Sequence, residues 1–233
     1  MITKTSVNIK NIDYSAGEAI LIDKEIGYTS FNAVYRIRKI TKTKKVGHAG
    51  TLDPNASGLL ILCTGKKTKQ ISEYQNFDKV YTGTFIIGKK TASYDSETDI
   101  IEENDFSKIT SEDISKAAQK FVGKISQIPP MYSAIKKNGK SLYKYARKGI
   151  EIARPSREVT IHKFEIMKIN LPEIMFRIKC SKGTYIRSIA NDFGEALGCG
   201  AYLSSLRRTE IGDYSVEDAI TLNEFYEKYN LKP

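Results

Sequence analysis

Cysteine and histidine are scarce in this 233-residue chain, and tryptophan is absent. The three cysteines, Cys63, Cys180 and Cys199, are an odd number at wide spacings, with no Cys-x-x-Cys pair, and the histidines are only His48 and His162. A disulfide framework needs paired cysteines, and a zinc site needs clustered Cys and His ligands. Neither is therefore expected, and we expect each cysteine to be a small buried apolar residue.

Long apolar runs are also missing. No run approaches the roughly 20 residues that a membrane-spanning helix requires, and residues 1–11 lack the apolar core of a signal peptide. No internal repeat, low-complexity tract or linker rich in proline, glycine and serine divides the chain. These absences predict a cytoplasmic protein that does not bind membranes, with one domain over residues 1–233.

Acidic residues are outnumbered. The chain has 27 Asp and Glu against 37 Lys and Arg, which gives a formal net charge of +10 and a pI near 9.3. An excess of cations of this size indicates a polyanionic partner. Composition alone leaves two interpretations open, a generic basic surface and a nucleic-acid-binding surface, and the distribution of the cations must decide between them.

Hydrophobic periodicity predicts the strands. Short apolar runs, rich in β-branched and aromatic residues, are typical of strands at residues 19–23, 58–63 and 80–87. Residues 174–180 alternate strictly between apolar and polar side chains, which predicts a half-buried antiparallel strand.

Apolar residues three and four positions apart predict helices. One helix is expected to be capped by Ser30 and to carry Phe31, Val34 and Ile37 at a regular three-residue spacing, so that the basic residues between them line its outer side. Strands mixed with helices, without regular alternation, indicate the α+β class with a mixed, mainly antiparallel sheet and flanking helices. The other predicted helices begin at Ser111, Thr184 and Leu222.

The densest group of turn residues is GHAGTLDPNASG, residues 47–58, which directly precedes an apolar strand. Its three glycines permit close backbone approach to a ligand, and Pro54 restricts Asp53 to extended conformations. The loop therefore presents a carboxylate on a stiff turn. The residues alone leave open whether Asp53 is catalytic or belongs to a structural Asp-Pro turn, and no Gly-Lys-Ser/Thr follows in the register of a P-loop.

Two basic stretches flank this chemistry. The first covers residues 36–45 and has six cations and no acidic residue, and the second covers residues 131–147 and mixes five cations with three tyrosines. Cations supply phosphate contacts, and tyrosine rings supply surfaces on which bases stack. The pattern favours RNA or DNA binding over a merely solvated face.

Four sequence blocks resemble the motifs of the TruB family of tRNA pseudouridine synthases, in the same order along the chain. They are LIDKEIGYTS (residues 21–30), GHAGTLDPNASG (47–58), QIPPMYSAIKKNGKSLYKYARKGIE (127–151) and CSKGTYIRSIANDFGEALGCGAYLSSLRR (180–208). The resemblance extends from about residue 17 to about residue 220. It implies a pseudouridine synthase fold with a central RNA-binding cleft.

The resemblance also implies an activity, which is conversion of the uridine at position 55, in the T loop of tRNA, to pseudouridine. Asp53 matches the essential aspartate that acts at the ribose C1′, and Arg187 matches the arginine that pairs with it. Tyr81 matches the catalytic tyrosine that stacks on the flipped uracil and is placed to act in proton transfer at the sugar. His48 matches the histidine that takes up the stacking space vacated by the flipped nucleotide in the T loop. Tyr185 and Leu206 match residues that line the pocket around the base.

No cofactor or metal is expected, because the isomerisation conserves every atom of the base and sugar. The expected partner is the T-arm stem-loop of tRNA, bound by a monomer. Contacts with the RNA backbone are expected from Lys24, Arg36, Arg38, Lys44, Lys45, Lys136, Lys140 and Arg147.

Two features depart from the family pattern. Glu25 follows Lys24 where the family usually has proline, and the C-terminal RNA-binding PUA domain of many members is expected to be absent. Two other classes of function are alternatives: an inactive RNA-binding protein on the same scaffold, and a glycosidase or metal-dependent nuclease. The joint presence of Asp53, Tyr81 and Arg187 argues against the first. The second needs a further active-site carboxylate or clustered metal ligands, which the motifs do not supply.

Overall fold

The computed structural model describes residues 1–137 and 139–230, so the predicted domain end at residue 233 lies outside the described residues. The chain folds as two compact units. We call Met1–Tyr81 with the chain from Leu206 onward the terminal unit, and Thr82–Ser205 the central unit.

The described residues contain six α-helices, which lie in both units. None of these helices combines the length and the apolar character that a bilayer crossing demands. They are α1 (Ser30–Thr41), α2 (Ile71–Asn76), α3 (Ser111–Lys120), α4 (Leu142–Ala146), α5 (Ile186–Leu197) and α6 (Leu222–Asn230).

Fourteen β-strands are found in the same described ranges. The first seven are β1 (Ala19–Lys24), β2 (Val46–His48), β3 (Ala56–Thr64), β4 (Lys79–Ile87), β5 (Lys89–Thr91), β6 (Ile100–Glu103) and β7 (Gly123–Gln127). The others are β8 (Lys136–Lys137), β9 (Lys140–Ser141), β10 (Arg157–Asn170), β11 (Glu173–Cys180), β12 (Ala201–Ile211), β13 (Tyr214–Ser215) and β14 (Ile220–Thr221).

Strand pairing is mixed and mainly antiparallel. The order is β14-β1-β3-β12-β4 in the terminal unit and β12-β4-β11-β10-β7 in the central unit, because β4 and β12 contribute residues to both. Strand β3 pairs antiparallel with β1 and β2 and parallel with β12, whereas β10 pairs antiparallel with β11 and β7. The predicted α+β class with a mixed, mainly antiparallel sheet is confirmed.

Both faces of the central strands in the terminal unit are buried. Ile22 and Leu60 lie in a cluster with Val34 of α1, while Leu21 and Ile61 lie in a second cluster of buried residues. Strands buried on both faces read as continuous apolar runs, which is why residues 19–23 and 58–63 were predictable as strands. The sheet of the terminal unit is therefore a rigid base for the loop that connects β2 to β3.

Helix α1 differs from its prediction in two respects. Thr29, not Ser30, is the N-cap, and it forms a reciprocal capping box with Asn32. Ser30, at 2% exposure, is buried, whereas Phe31 is 64% exposed. The prediction that Phe31 shares a buried face with Val34 is wrong, because the buried face passes through the smaller Ser30 in the first turn.

The predicted helix at Ser111 is confirmed, and the helix predicted from Thr184 is present but begins two residues later. Helix α3 begins at Ser111, with Thr110 as its cap. Helix α5 begins at Ile186, buries Ile189 and Phe193, and ends at Gly198, where φ is +75°. A left-handed residue at the end of a helix favours glycine, so the predicted stop is also confirmed.

Candidate active site

The Asp53 loop is fixed to the first residue of α1 and to the turn that precedes this helix. Ser30 Oγ accepts a hydrogen bond from the Leu52 N–H at 2.9 Å and donates one to the Leu52 carbonyl at 3.1 Å. The Gly27 N–H donates to the Pro54 carbonyl at 2.9 Å. These bonds hold the residues on both sides of Asp53, which is itself half-buried. The carboxylate is therefore presented from a backbone with little freedom to move.

A buried arginine braces the two arms of the same loop. Arg208 is 1% exposed; its Nε donates to the Leu59 carbonyl at 2.8 Å, and its Nη2 donates to the Gly50 carbonyl at 3.1 Å. Gly58, at φ +104°, lies directly against β12, because a Cβ added to Gly58 would come within 2.3 Å of the Arg208 carbonyl oxygen. Sequence reasoning missed Arg208, because a charged residue in a strand is normally exposed.

Lys24 lies inside the protein. It is 0% exposed, and its ammonium donates to the Glu25 carbonyl at 3.0 Å and the Tyr28 carbonyl at 2.6 Å. Burial lowers the pKa of Lys24 to about 8, while the negative charge of Asp53 opposes that shift. This placement does not support the predicted contact of Lys24 with the RNA backbone. It gives Lys24 a structural role beside the Asp53 loop.

His48 is neutral near pH 7. It lies in β2 opposite Leu62 of β3 and is half-buried. Burial and the nearby positive charge of Arg208 lower the pKa of His48 below its ordinary value. An uncharged imidazole is a flat, weakly solvated ring, which suits it to stacking on a base.

Two further predicted residues belong to the terminal unit. Tyr81 is in β4 and is 9% exposed. Leu206 of β12 is half-buried and lies opposite Ala56 in the parallel pair with β3. Leu206 therefore lies opposite the first residue of β3, which follows Asp53 by three positions in the chain.

Arg187 is in the first turn of α5, in the central unit, and its side chain is 4% exposed. Its Nε lies 3.5 Å from Asp95 Oδ2, and its Nη1 donates to the Ser93 carbonyl at 3.4 Å. Asp95 is oriented in turn by Ser93 Oγ at 2.6 Å and the Glu97 N–H at 2.9 Å. Sequence reasoning missed Asp95, because its segment matches none of the four motif blocks.

Tyr185 is the N-cap residue of α5. The buried side chain of Gln127 accepts from the Tyr185 N–H at 2.8 Å and donates to its carbonyl at 3.0 Å. The guanidinium of Arg157 lies over the Tyr185 ring, 4.5 Å from its centroid. The backbone and ring of Tyr185 are therefore both held in place within the central unit.

The predicted RNA-backbone residues are in different environments. Lys44 and Lys45 in the terminal unit and Lys136, Lys140 and Arg147 in the central unit are exposed, as phosphate contacts require. Arg36 and Arg38 are half-buried. Arg36 already binds Asn223 Oδ1 at 2.9 Å and lies over the Tyr28 ring.

The tyrosines of the second basic stretch pack on one another. Tyr132 and Tyr143 meet edge to face at 5.9 Å, and Tyr143 donates to Glu97 at 2.9 Å.

Across the described ranges, no cluster of three or more His, Cys, Asp or Glu side chains could hold a metal ion.

We expect Arg208→Met to destabilise the protein by about 2–4 kcal/mol, because the buried carbonyl of Leu59 and the half-buried carbonyl of Gly50 lose their hydrogen-bond donor. Activity should fall with it, since the Asp53 loop loses its brace. Urea unfolding and turnover measure the two effects. Arg207→Met is the matched control: Arg207 has a 40% exposed side chain paired with Asp23, and loss of such a pair costs at most about 1 kcal/mol. Equal stability of the two variants would contradict the role of Arg208.

Comparison with known proteins extends over nearly the whole chain. Residues 38–186 match the model of the TruB family pseudouridylate synthase N-terminal domain, and residues 187–232 match the tRNA pseudouridylate synthase B C-terminal domain. The tRNA pseudouridine synthase B of Flavobacterium johnsoniae is 51% identical over 222 residues, covering 92% of this chain and 97% of that protein. The protein of the same name from Chloroherpeton thalassium is 52% identical over 217 residues, covering 91% and 90%.

A solved structure supports the same assignment. A chain of a Cbf5-Nop10-Gar1 complex superposes with a TM-score of 0.72 at 27% identity, covering 97% of this chain and 58% of that chain. Taken with the family models and the two relatives, this similarity shows that the chain belongs to the TruB family of pseudouridylate synthases.

Proposed function

We propose that this protein converts the uridine at position 55, in the T loop of tRNA, to pseudouridine, acting as a monomer in the cytoplasm. The similar proteins named tRNA pseudouridine synthase B support tRNA as the substrate. The observation that carries the proposal is the Asp53 loop, whose backbone is tied to Ser30, Gly27 and Arg208. A carboxylate held in this way costs little reorganisation when it acts.

The reaction requires a flipped-out nucleotide, because the glycosidic bond is inaccessible inside a stacked loop. In the proposed mechanism Asp53 acts at the ribose C1′ as the bond from C1′ to N1 of uracil breaks. The detached uracil rotates, and C5 bonds to C1′. The proton on C5 leaves and N1 gains a proton, so the product has the same atomic composition as the substrate.

The other site residues are assigned supporting roles. Tyr81 stacks on the flipped uracil, and the neutral ring of His48 fills the gap left in the T loop, since stacking replaces the neighbours that the base has lost. Tyr185 and Leu206 line the base pocket. Arg187 keeps the Asp53 carboxylate ionised, as the family resemblance implies, and its own orientation comes from Asp95.

We expect an isolated T-arm stem-loop to be a substrate, with an affinity that falls steeply as salt rises. The exposed lysines contact phosphates, and each contact contributes about 0.7–0.9 to the slope of log K against log[salt]. Lys44→Gln with Lys45→Gln should therefore lower the slope by up to about 2 without lowering kcat. Turnover and binding of the hairpin and of full tRNA, measured across a salt series, test this. A hairpin that stays inert while full tRNA reacts normally would show that recognition extends beyond the T arm.

A further inference from the structure

Helix α1 leaves two aromatic rings on its outer face. Phe31 is 64% exposed and Tyr35 is 55% exposed. They are four residues apart, so they lie on the same face, one above the other. The opposite face carries Ala33, Val34 and Ile37, which are buried in the core of the terminal unit. Packing within the protein therefore does not account for the two rings.

The same face becomes positively charged toward the C-terminal end of the helix. Lys39 lies four residues after Tyr35 on this face, and Lys42 is the C-cap residue that follows the last turn of α1; both are exposed. No Asp or Glu occurs anywhere in residues 26–52. The face thus presents two rings and then two ammonium groups, with no carboxylate in the same stretch of chain to neutralise them.

A second segment extends this positive surface beyond the helix. The Gly65 N–H donates to the Lys45 carbonyl at 2.9 Å, so the 3₁₀ helix Gly65–Gln70 begins beside the lysines that follow α1. Within that short helix Lys66 and Lys69 are exposed. The positive charge therefore comes from two separate stretches of sequence that the fold brings together.

The aromatic end of this helix face lies next to the candidate catalytic loop. Ser30, which directly precedes Phe31, hydrogen bonds to the backbone of Leu52, the neighbour of Asp53. The 12 residues of α1 span about 17 Å at 1.5 Å per residue. The face therefore leads away from the Asp53 loop over the length of several nucleotides.

We propose that Phe31, Tyr35, Lys39 and Lys42, which we call the α1 face, form a second RNA-binding surface that receives an unpaired stretch of the substrate RNA. Exposed rings stack on unpaired bases, and lysines contact the phosphates between them. The lack of acidic residues favours a polyanion over a protein partner or a second copy of the chain. The identity of the RNA as tRNA rests on the proposed function.

The rings are tested by binding of an unmodified tRNA transcript to variants made in an Asp53→Asn background, in which we expect no product to form. Removal of both rings, Phe31→Ala with Tyr35→Ala, should weaken binding tenfold or more, because each stacked base contributes strongly to affinity. Phe31→Tyr with Tyr35→Phe keeps both rings and should bind like its parent. The matched control is Tyr226→Ala, which removes a ring that is 54% exposed on α6, and it should leave the affinity unchanged.

The lysines are tested by the salt dependence of the same binding. Lys39→Gln with Lys42→Gln should lower the slope of log K against log[salt] by about 2, whereas Lys116→Gln with Lys120→Gln, on the exposed side of α3, should not. Unchanged tRNA affinity of the ring-deleted variant would overturn the proposal. So would a change in its sedimentation instead of its affinity, which would identify a face for self-association. Because no product is measured, failure here is distinguishable from failure of the proposed reaction.

Discussion

Asp53→Asn should abolish pseudouridine formation while tRNA binding persists. The amide keeps the size of the carboxylate and its place on the braced loop, but it can act neither as an anion nor as a nucleophile at C1′. We expect turnover to fall at least about a thousandfold, equivalent to about 4 kcal/mol of transition-state stabilisation. Single-turnover assays with excess enzyme, together with binding of the same tRNA, measure the two effects separately.

The matched control for this variant is Asp78→Asn, in the same unit but outside the motif blocks. It should retain turnover near that of the wild type. If Asp53→Asn also turns over at the wild-type rate, the assignment of Asp53 as the catalytic carboxylate is wrong. If the variant loses binding and activity together, the loop has a structural role only.

Arg187→Lys should lower kcat strongly, by about a hundredfold, with a smaller change in KM. The guanidinium of Arg187 faces Asp95 through Nε and the Ser93 carbonyl through Nη1 at the same time. An ammonium is a point charge on a flexible stem and cannot reproduce the rigid planar fork that reaches both. The substitution should therefore lower kcat more than it weakens binding of the RNA.

Asp95→Asn supplies the second arm of this test. It keeps a hydrogen-bonding group next to Arg187 but removes the charge, so we expect a loss of kcat in the same direction and smaller than that of Arg187→Lys. Arg177→Lys, on the half-exposed face of β11, should be close to wild type. Full activity of Arg187→Lys would mean that the fork geometry of this residue is irrelevant to catalysis.

The strands and helices were predictable where local pattern and burial agree. Strand β3 is a continuous apolar run because both of its faces are covered, and α5 carries the buried apolar residues Ile186, Ile189 and Phe193 on one stripe. At Phe31 the local pattern and the burial disagree. The core selects Ser30 for the first turn, because its hydroxyl bonds Leu52, and no spacing rule predicts that a serine displaces a phenylalanine from the buried face.

The sequence predicts the reacting residues of the candidate site, whereas the residues that support them are found only in the structure. Glycine and proline mark the Asp53 loop, and the motif blocks identify its partners. Arg208 and Lys24 are both buried charges. Arg208 binds the carbonyl of Leu59, 149 residues away, whereas Lys24 binds the nearby carbonyls of Glu25 and Tyr28. A sequence pattern treats such cations as exposed. Asp95, which supports Arg187, is also far from it in the sequence. No local sequence pattern therefore indicates this ion pair.

The proposed reaction is isomerisation of the T-loop uridine of tRNA through Asp53. The most direct test incubates an unmodified tRNA transcript with the wild type and with Asp53→Asn, and then maps pseudouridine along the whole transcript. We expect one pseudouridine, at position 55, with the wild type and none with the variant. Pseudouridine at another position, or product formed by Asp53→Asn, would contradict it.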